Sequence, residues 1–150
     1  MSKIEYDKII ALEPKYFDGI GDCTEIYYND GEKIIEFKNI RSCMISMADY
    51  YCTNLKANRR VYGKELNIKN KVPYIFSDKH IMIQYKARIP MYKKDGANGY
   101  FDVNYFESFI KEEDEEFVML KGGEKLKMKQ KSETCKKYVN YAKLLGYKKR

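Results

Sequence analysis

The segment TEIYYNDGEKIIEF, residues 24–37, holds two short runs rich in β-branched and aromatic residues, Thr24 to Tyr28 and Lys33 to Phe37, separated by Asn29-Asp30-Gly31. An Asp-Gly step tolerates the positive φ of a tight two-strand turn, so the segment predicts a β-hairpin. Upstream, Tyr6 to Leu12 predicts a further strand, expected to stop before Pro14, and a β-meander therefore opens the chain. Downstream, Ser42 is a plausible helix cap, and Met44, Met47, Ala48, Tyr51 and Leu55 recur at helical spacing. One helix over about 42–57 follows, with Lys56, Asn58, Arg59 and Arg60 as its basic exit.

The remaining segments extend this pattern. Tyr74 to Phe76 and Ile81 to Tyr85 predict two strands around Ser77-Asp78, residues 90–99 read as a loop, and Tyr100 to Ile110 returns to strand character. The acids Glu112 to Glu116 read as a solvated connection. Phe117 to Leu120 and Glu124 to Lys129 flank Gly122-Gly123, a second hairpin signal. Ser132 caps a last helix over about 133–145, with Cys135, Tyr138, Val139, Ala142 and Leu145 as its apolar stripe and Gly146 as its end. The expected fold is one α+β domain over residues 1–150, mostly antiparallel sheet with two main helices.

The chain has 150 residues, 44% hydrophobic and 34% charged, enough to bury a core without staples and too apolar for intrinsic disorder. No apolar run approaches membrane-spanning length, and Met1 to Leu12 mixes charges with apolar residues where a secretory signal has an unbroken core. A cytoplasmic protein without a membrane partner is expected. Cys23, Cys43, Cys52 and Cys135 form no C-x-x-C pair and His80 is the single histidine, so zinc has no local ligand pair and no cofactor is expected.

Charge is more informative. The net +7 divides into blocks of −4 (residues 1–40), +8 (41–100), −6 (101–120) and +9 (121–150). Localised positive faces attract polyanions through counterion release, which makes nucleic acid the leading partner. Lys125, Lys127, Lys129 and Lys131 alternate with Leu126, Met128 and Gln130, so an extended chain puts the lysines on one face. Lysines on a strand also block edge-to-edge aggregation. Arg41, Arg59 and Arg60 flank the first predicted helix, and arginine suits narrow minor grooves and phosphate. These residues and Lys56 are the expected DNA contacts, with Arg59 and Arg60 reading the groove and the 125–131 lysines holding phosphate. Of the 22 aromatic side chains (15 Tyr, 7 Phe), several fall on apolar stripes, which favours core over base stacking.

The enzyme alternative is Asp22 with Glu36-Phe37-Lys38, an acid and Glu-x-Lys arrangement similar to magnesium-dependent restriction-type nucleases.

The order of segments resembles the ComK family of bacterial competence transcription factors. The likeness runs through Ala11-Leu12-Glu13-Pro14, Asp18-Gly19, Arg41-Ser42-Cys43, Lys71-Val72-Pro73-Tyr74-Ile75, Tyr100-Phe101-Asp102-Val103, Gly122-Gly123 and Ser132. The sequence departs from the family at Gln84-Tyr85-Lys86, where a Phe-Pro-Thr segment is usual, and at Tyr100, where a tryptophan is usual. The resemblance implies a regulator that binds A/T-rich boxes in double-stranded DNA through the minor groove, self-associates, bends DNA and controls competence or related genes. RNA polymerase is the further partner it implies. The last fifty residues are also faintly similar to LytTR DNA-binding domains.

Overall fold

Continuous runs of buried residues along several strands, Ile9 to Leu12 and Ile81 to Ile83 among them, decide how the chain layers, because such strands are covered on both faces. The computed structural model describes residues 3–149, with side chains through residue 146. Among these residues the elements run β1 (Ile9–Phe17), β2 (Gly21–Tyr28), β3 (Lys33–Glu36), α1 (Ile40–Tyr50), α2 (Leu55–Leu66), β4 (Tyr74–Ser77), β5 (His80–Lys86), β6 (Asn98–Asp102), β7 (Phe106–Glu112), β8 (Glu115–Leu120), β9 (Lys125–Met128) and α3 (Ser132–Lys149). The fold is α+β, with antiparallel pairing throughout a six-stranded sheet ordered β3-β2-β1-β6-β5-β4 and a three-stranded sheet ordered β7-β8-β9.

Each face of the large sheet carries its own core. Ile9, Leu12, Ile26 and Met82 pack with Ile40, Met44, Met47 and Ala48 of α1. Ile10, Ile81, Ile83 and Phe101 pack with Val118, Leu126, Val139 and Leu145 from the small sheet and α3. A register shift between Ile9 and Ala11 puts Ile9 and Leu12 on one face although three positions separate them. Among the described residues no helix is long and apolar enough to cross a membrane.

Both glycine-marked hairpins form, β2–β3 around Gly31 and β8–β9 around Gly122 and Gly123, all three glycines at positive φ. Four boundaries differ from expectation. β1 continues through Pro14, because β6 pairs with β1 only at Ala11 and Leu12, and past that point β1 has β2 alone as neighbour. The expected 42–57 helix is two helices. Cys52 takes a left-handed φ of 56°, and Asn54 restarts the chain by accepting from Ala57 N at 2.9 Å. Tyr100 to Ile110 is likewise two strands in different sheets, split by a 3-10 turn over Val103–Tyr105 where the Asp102 side chain accepts from Asn104 N at 3.0 Å. Gly146 does not end α3, since a Cβ there would lie 3.0 Å from Ile81 Cδ1, so this glycine serves close packing of helix on sheet.

The single histidine joins three elements. His80 Nε2 donates to Ile9 O at 2.7 Å, which leaves Nδ1 to accept from Tyr51 Oη at 2.6 Å, a neutral imidazole with both nitrogens satisfied. Burial pushes its pKa down to about 4, and burial pushes the neighbouring Asp102 carboxyl up to about 7. The two side chains approach to 3.8 Å. A depressed histidine stabilises the fold above its ordinary pKa and loses that contribution as pH falls through 6.5 toward 4. A raised carboxyl has the opposite sign: its stabilisation is complete below 3.8 and is lost as pH rises toward 7. Between these limits the two slopes cancel. Urea unfolding of Asp102→Asn should therefore show stability rising with pH between about 4 and 6.5 by about 1.4 kcal/mol per unit, and His80→Gln should show it falling at a similar rate. Parallel profiles in the two variants would refute the assignment.

Candidate nucleic-acid interface

Two asparagine caps place the cations of the first half. Asn39 accepts from Ser42 N at 2.9 Å to start α1, with Arg41 exposed in its first turn, so Ser42 is inside the helix and Asn39 is the cap. α2 starts at the Asn54 cap, which brings Lys56, Arg59 and Arg60 into the helix rather than into a loop. Lys56, Arg59, Arg60 and Lys64 then follow at helical spacing and are all exposed. Asn67, in a left-handed conformation, ends the helix.

Arg41, Lys56 and Arg59 line one groove of about 620 Å³ between α1, α2 and the sheet, with Ile45, Asn98 and Tyr100 among its other walls. Arg59 Nη1 donates to Tyr74 Oη at 2.8 Å, and the Tyr74 ring stacks with Phe76 and tilts against Tyr100. The guanidinium is thereby held against an aromatic wall. Burial raises the Tyr100 phenol pKa, so the ring enters this wall neutral. A second groove of about 470 Å³ adjoins the first through Arg59 and continues past Arg60, Lys64 and Lys69. Lys64 and Lys69 are additions to the expected contacts. The signal for Lys64 in the sequence is the i, i+4, i+8 series from Lys56 through Arg60, readable only once the segment is taken as helix, and Lys69, past the helix end, has no such signal.

The lysine strand lies elsewhere. β9 belongs to the small sheet, against the face of the large sheet opposite α1, with Leu126 and Met128 buried and Lys125 exposed. Lys125 pairs with Glu112 at 3.0 Å and lies over the Phe117 ring at 4.5 Å, and Lys127 pairs with Glu115 at 2.9 Å. The hydrogen bond from Lys127 holds the Glu115 carboxyl below its ordinary range. Glu116 accepts from Ser132 N and Oγ, at the start of α3, which lowers its pKa too. The acids 112–116 are thus the turn of a β-hairpin in which Glu112 and Glu115 pair with the lysines, with Glu113 and Asp114 both at positive φ. Lys129 and Lys131 are exposed beyond the strand, and Lys129 N donates to Lys86 O at 2.8 Å. The side chains of the tail residues Lys148, Lys149 and Arg150 lie outside the described residues.

The residues of the nuclease alternative are engaged separately. Asp22 Oδ2 accepts from Arg88 Nη2 at 3.0 Å while its Oδ1 lies in ion contact with Nη1 at 2.8 Å, and Lys38 Nζ donates to Ser46 Oγ at 2.9 Å. Glu36 ends β3 opposite Thr24. No three His, Cys, Asp or Glu residues converge among the described residues. In comparisons with family models, with curated proteins and with solved structures, the chain has no match.

Proposed function

We propose that this protein is a DNA-binding transcription regulator of the ComK type, acting in the cytoplasm on A/T-rich duplex. The observation that carries the reading is the convergence of Arg41, Lys56 and Arg59 on one groove, continued by Arg60 and Lys64 along the exposed face of α2 and by Lys69 just past its end. A row of cations, with Arg59 held by Tyr74 beside an aromatic wall, suits a phosphate backbone and a narrow, electronegative minor groove. Self-association, paired boxes, control of competence genes and contact with RNA polymerase follow from the ComK resemblance alone. No observation favours the nuclease alternative, since the Asp22 carboxylate is already neutralised by Arg88.

A mobility-shift salt series on A/T-rich and mixed-sequence duplexes tests this. Arg59→Ala with Arg60→Ala is expected to weaken A/T-rich binding more than mixed-sequence binding. Lys127→Ala with Lys129→Ala is expected to lower both together and to flatten the salt slope by less than the roughly 2 units that two free phosphate contacts give, because Lys127 is already paired with Glu115. Absence of binding at low salt would overturn the proposal, and so would an A/T preference erased by the lysine pair and untouched by the arginine pair.

A further inference from the structure

The segment ARIPMYKKDG, residues 87–96, carries large apolar side chains where a loop is ordinarily polar, followed by two lysines. Ile89 is 73% exposed, Met91 67% and Tyr92 66%. Isolated exposed apolar residues are commonplace, but three within four positions on one loop form a patch.

This loop is anchored at several points. Arg88 pairs with Asp22 through one hydrogen bond and one ion contact while largely buried, its Nε donates to Gly96 O at 2.8 Å, and its guanidinium lies 4.1 Å from the Tyr16 ring centroid. Tyr16 Oη accepts from Met91 N at 2.8 Å and donates to Asp95 Oδ2 at 2.6 Å. Ala87 N and Arg88 N both donate to Ala97 O, and Asp95 N donates to Tyr92 O. The network holds the base of the loop and leaves Ile89, Met91 and Tyr92 projecting into water, which is preorganisation of an apolar tip.

The base of the loop also reaches the cationic groove. A Cβ on Gly96 would lie 3.1 Å from Ile40 Cγ2, beside Arg41, and Gly96 and Asn98 are walls of the groove that Arg41, Lys56 and Arg59 line.

We propose that this loop is a wedge for duplex DNA: Ile89 and Met91, with Tyr92, enter between stacked base pairs while Lys93 and Lys94 hold the flanking phosphates. The inference rests on the DNA-binding reading and names the side chains that would deform the DNA. Charge selects the occupant. Lys93 and Lys94 follow the tip directly in the chain, and the one carboxylate in the segment, Asp95, accepts from the Tyr16 hydroxyl. A polyanion matches that rim, whereas a second copy meeting it face to face brings like charges together. Apolar wedges of this kind unstack a base step and kink the duplex, most easily at flexible pyrimidine–purine steps.

Ile89→Ala with Met91→Ala removes the tip and none of the anchors, and both residues are exposed, so folding is expected to be unchanged. The probe is an A/T-rich duplex with 2-aminopurine at a central TA step and a fluorophore pair at its ends. The wild-type protein should brighten the 2-aminopurine and shorten the end-to-end distance. The double variant should do neither, should bind about tenfold more weakly with the same salt slope, and should recover affinity on a duplex with a mismatch at the central step. If the wild type binds no duplex, the DNA reading and the wedge both fall. If it binds but the double variant brightens and bends the duplex equally, the wedge alone falls. A double variant altered only in its self-association, by sedimentation without DNA, would make this loop a contact between copies and would likewise overturn the wedge.

Discussion

Replacing Gly99 by alanine is expected to destabilise the protein by about 2–4 kcal/mol, one of the largest effects of any single-methyl addition in the chain. Gly99 lies on β6 directly opposite Tyr85 of β5, and a Cβ there would stand 2.7 to 2.8 Å from Cε1, Cζ and Oη of that ring. These are distances that carbon contacts do not reach. The ring cannot swing away, being 1% exposed and packed against Phe101 at 5.8 Å between centroids. Alanine would recover only about 0.5–1 kcal/mol through its reduced chain entropy, so the overlap dominates. A double-mutant cycle by urea denaturation isolates the cause. Tyr85→Leu in the Gly99→Ala background should recover most of the loss, whereas Tyr85→Phe should not, because the ring carbons remain. Tyr85→Phe alone should raise stability by about 1 kcal/mol, since the Tyr85 hydroxyl is buried without a hydrogen-bond partner. A Gly99→Ala protein as stable as the wild type would refute the packing argument.

The sequence made the hairpins legible because they turn on glycine. Gly31, Gly122 and Gly123 mark positive φ openly, and the runs on either side of them pair as strands. Positive φ on residues other than glycine hides two further breaks in the chain. Cys52 breaks the first predicted helix, and Glu113 with Asp114 turns β7 into β8. None of these residue types announces a left-handed backbone as glycine does, so the helix was read too long and the acidic run as a connection rather than a turn. Asn54 and Asn67 were the available signals for α2, a capping residue at one end and a left-handed terminator at the other.

The candidate site was partly legible for a related reason. Arg41, Lys56 and Arg59 stand out by residue type, and their chain proximity survives the change from loop to helix. The Lys125 to Lys131 alternation is a strand only over Lys125–Met128, with Leu126 and Met128 buried, and Lys129 and Lys131 lie past its end. Periodicity is blind to what lies across a sheet, however, and the carboxylates of Glu112 and Glu115 that face these lysines come from 13 and 12 positions upstream. Charge counted along the chain treats the +9 and −6 blocks as separate surfaces. Folding superposes them, and the cations of α2 become the less compensated set.

Loss of the Asn58 side chain should cost about 2–4 kcal/mol, and its mechanism has a pH signature. β4 is an edge of the six-stranded sheet, and the Asn58 amide, 6% exposed on α2, supplies what a neighbouring strand otherwise would. Its Nδ2 donates to Pro73 O and its Oδ1 accepts from Ile75 N, both at 2.9 Å. Asn58→Leu keeps the approximate shape and leaves a buried carbonyl and a buried N–H unpaired, each worth about 1–3 kcal/mol. Asn58→Asp retains the acceptor for Ile75 N, but its ionised carboxylate faces the Pro73 carbonyl without a proton to donate. When protonated, that carboxyl donates as the amide did. The folded state therefore favours the protonated form, raising the introduced carboxyl's pKa above its unfolded value. Stability relative to wild type should then be best preserved near pH 4 and fall as pH rises toward 7, while the Asn58→Leu deficit stays constant. Amide exchange gives a second readout, since the Ile75 N–H should lose protection in Asn58→Leu and keep it in Asn58→Asp at low pH. Equal pH profiles for the two variants would mean that the amide does not bridge α2 to the sheet edge, and the placement of Arg59 beside Tyr74 would then need another anchor.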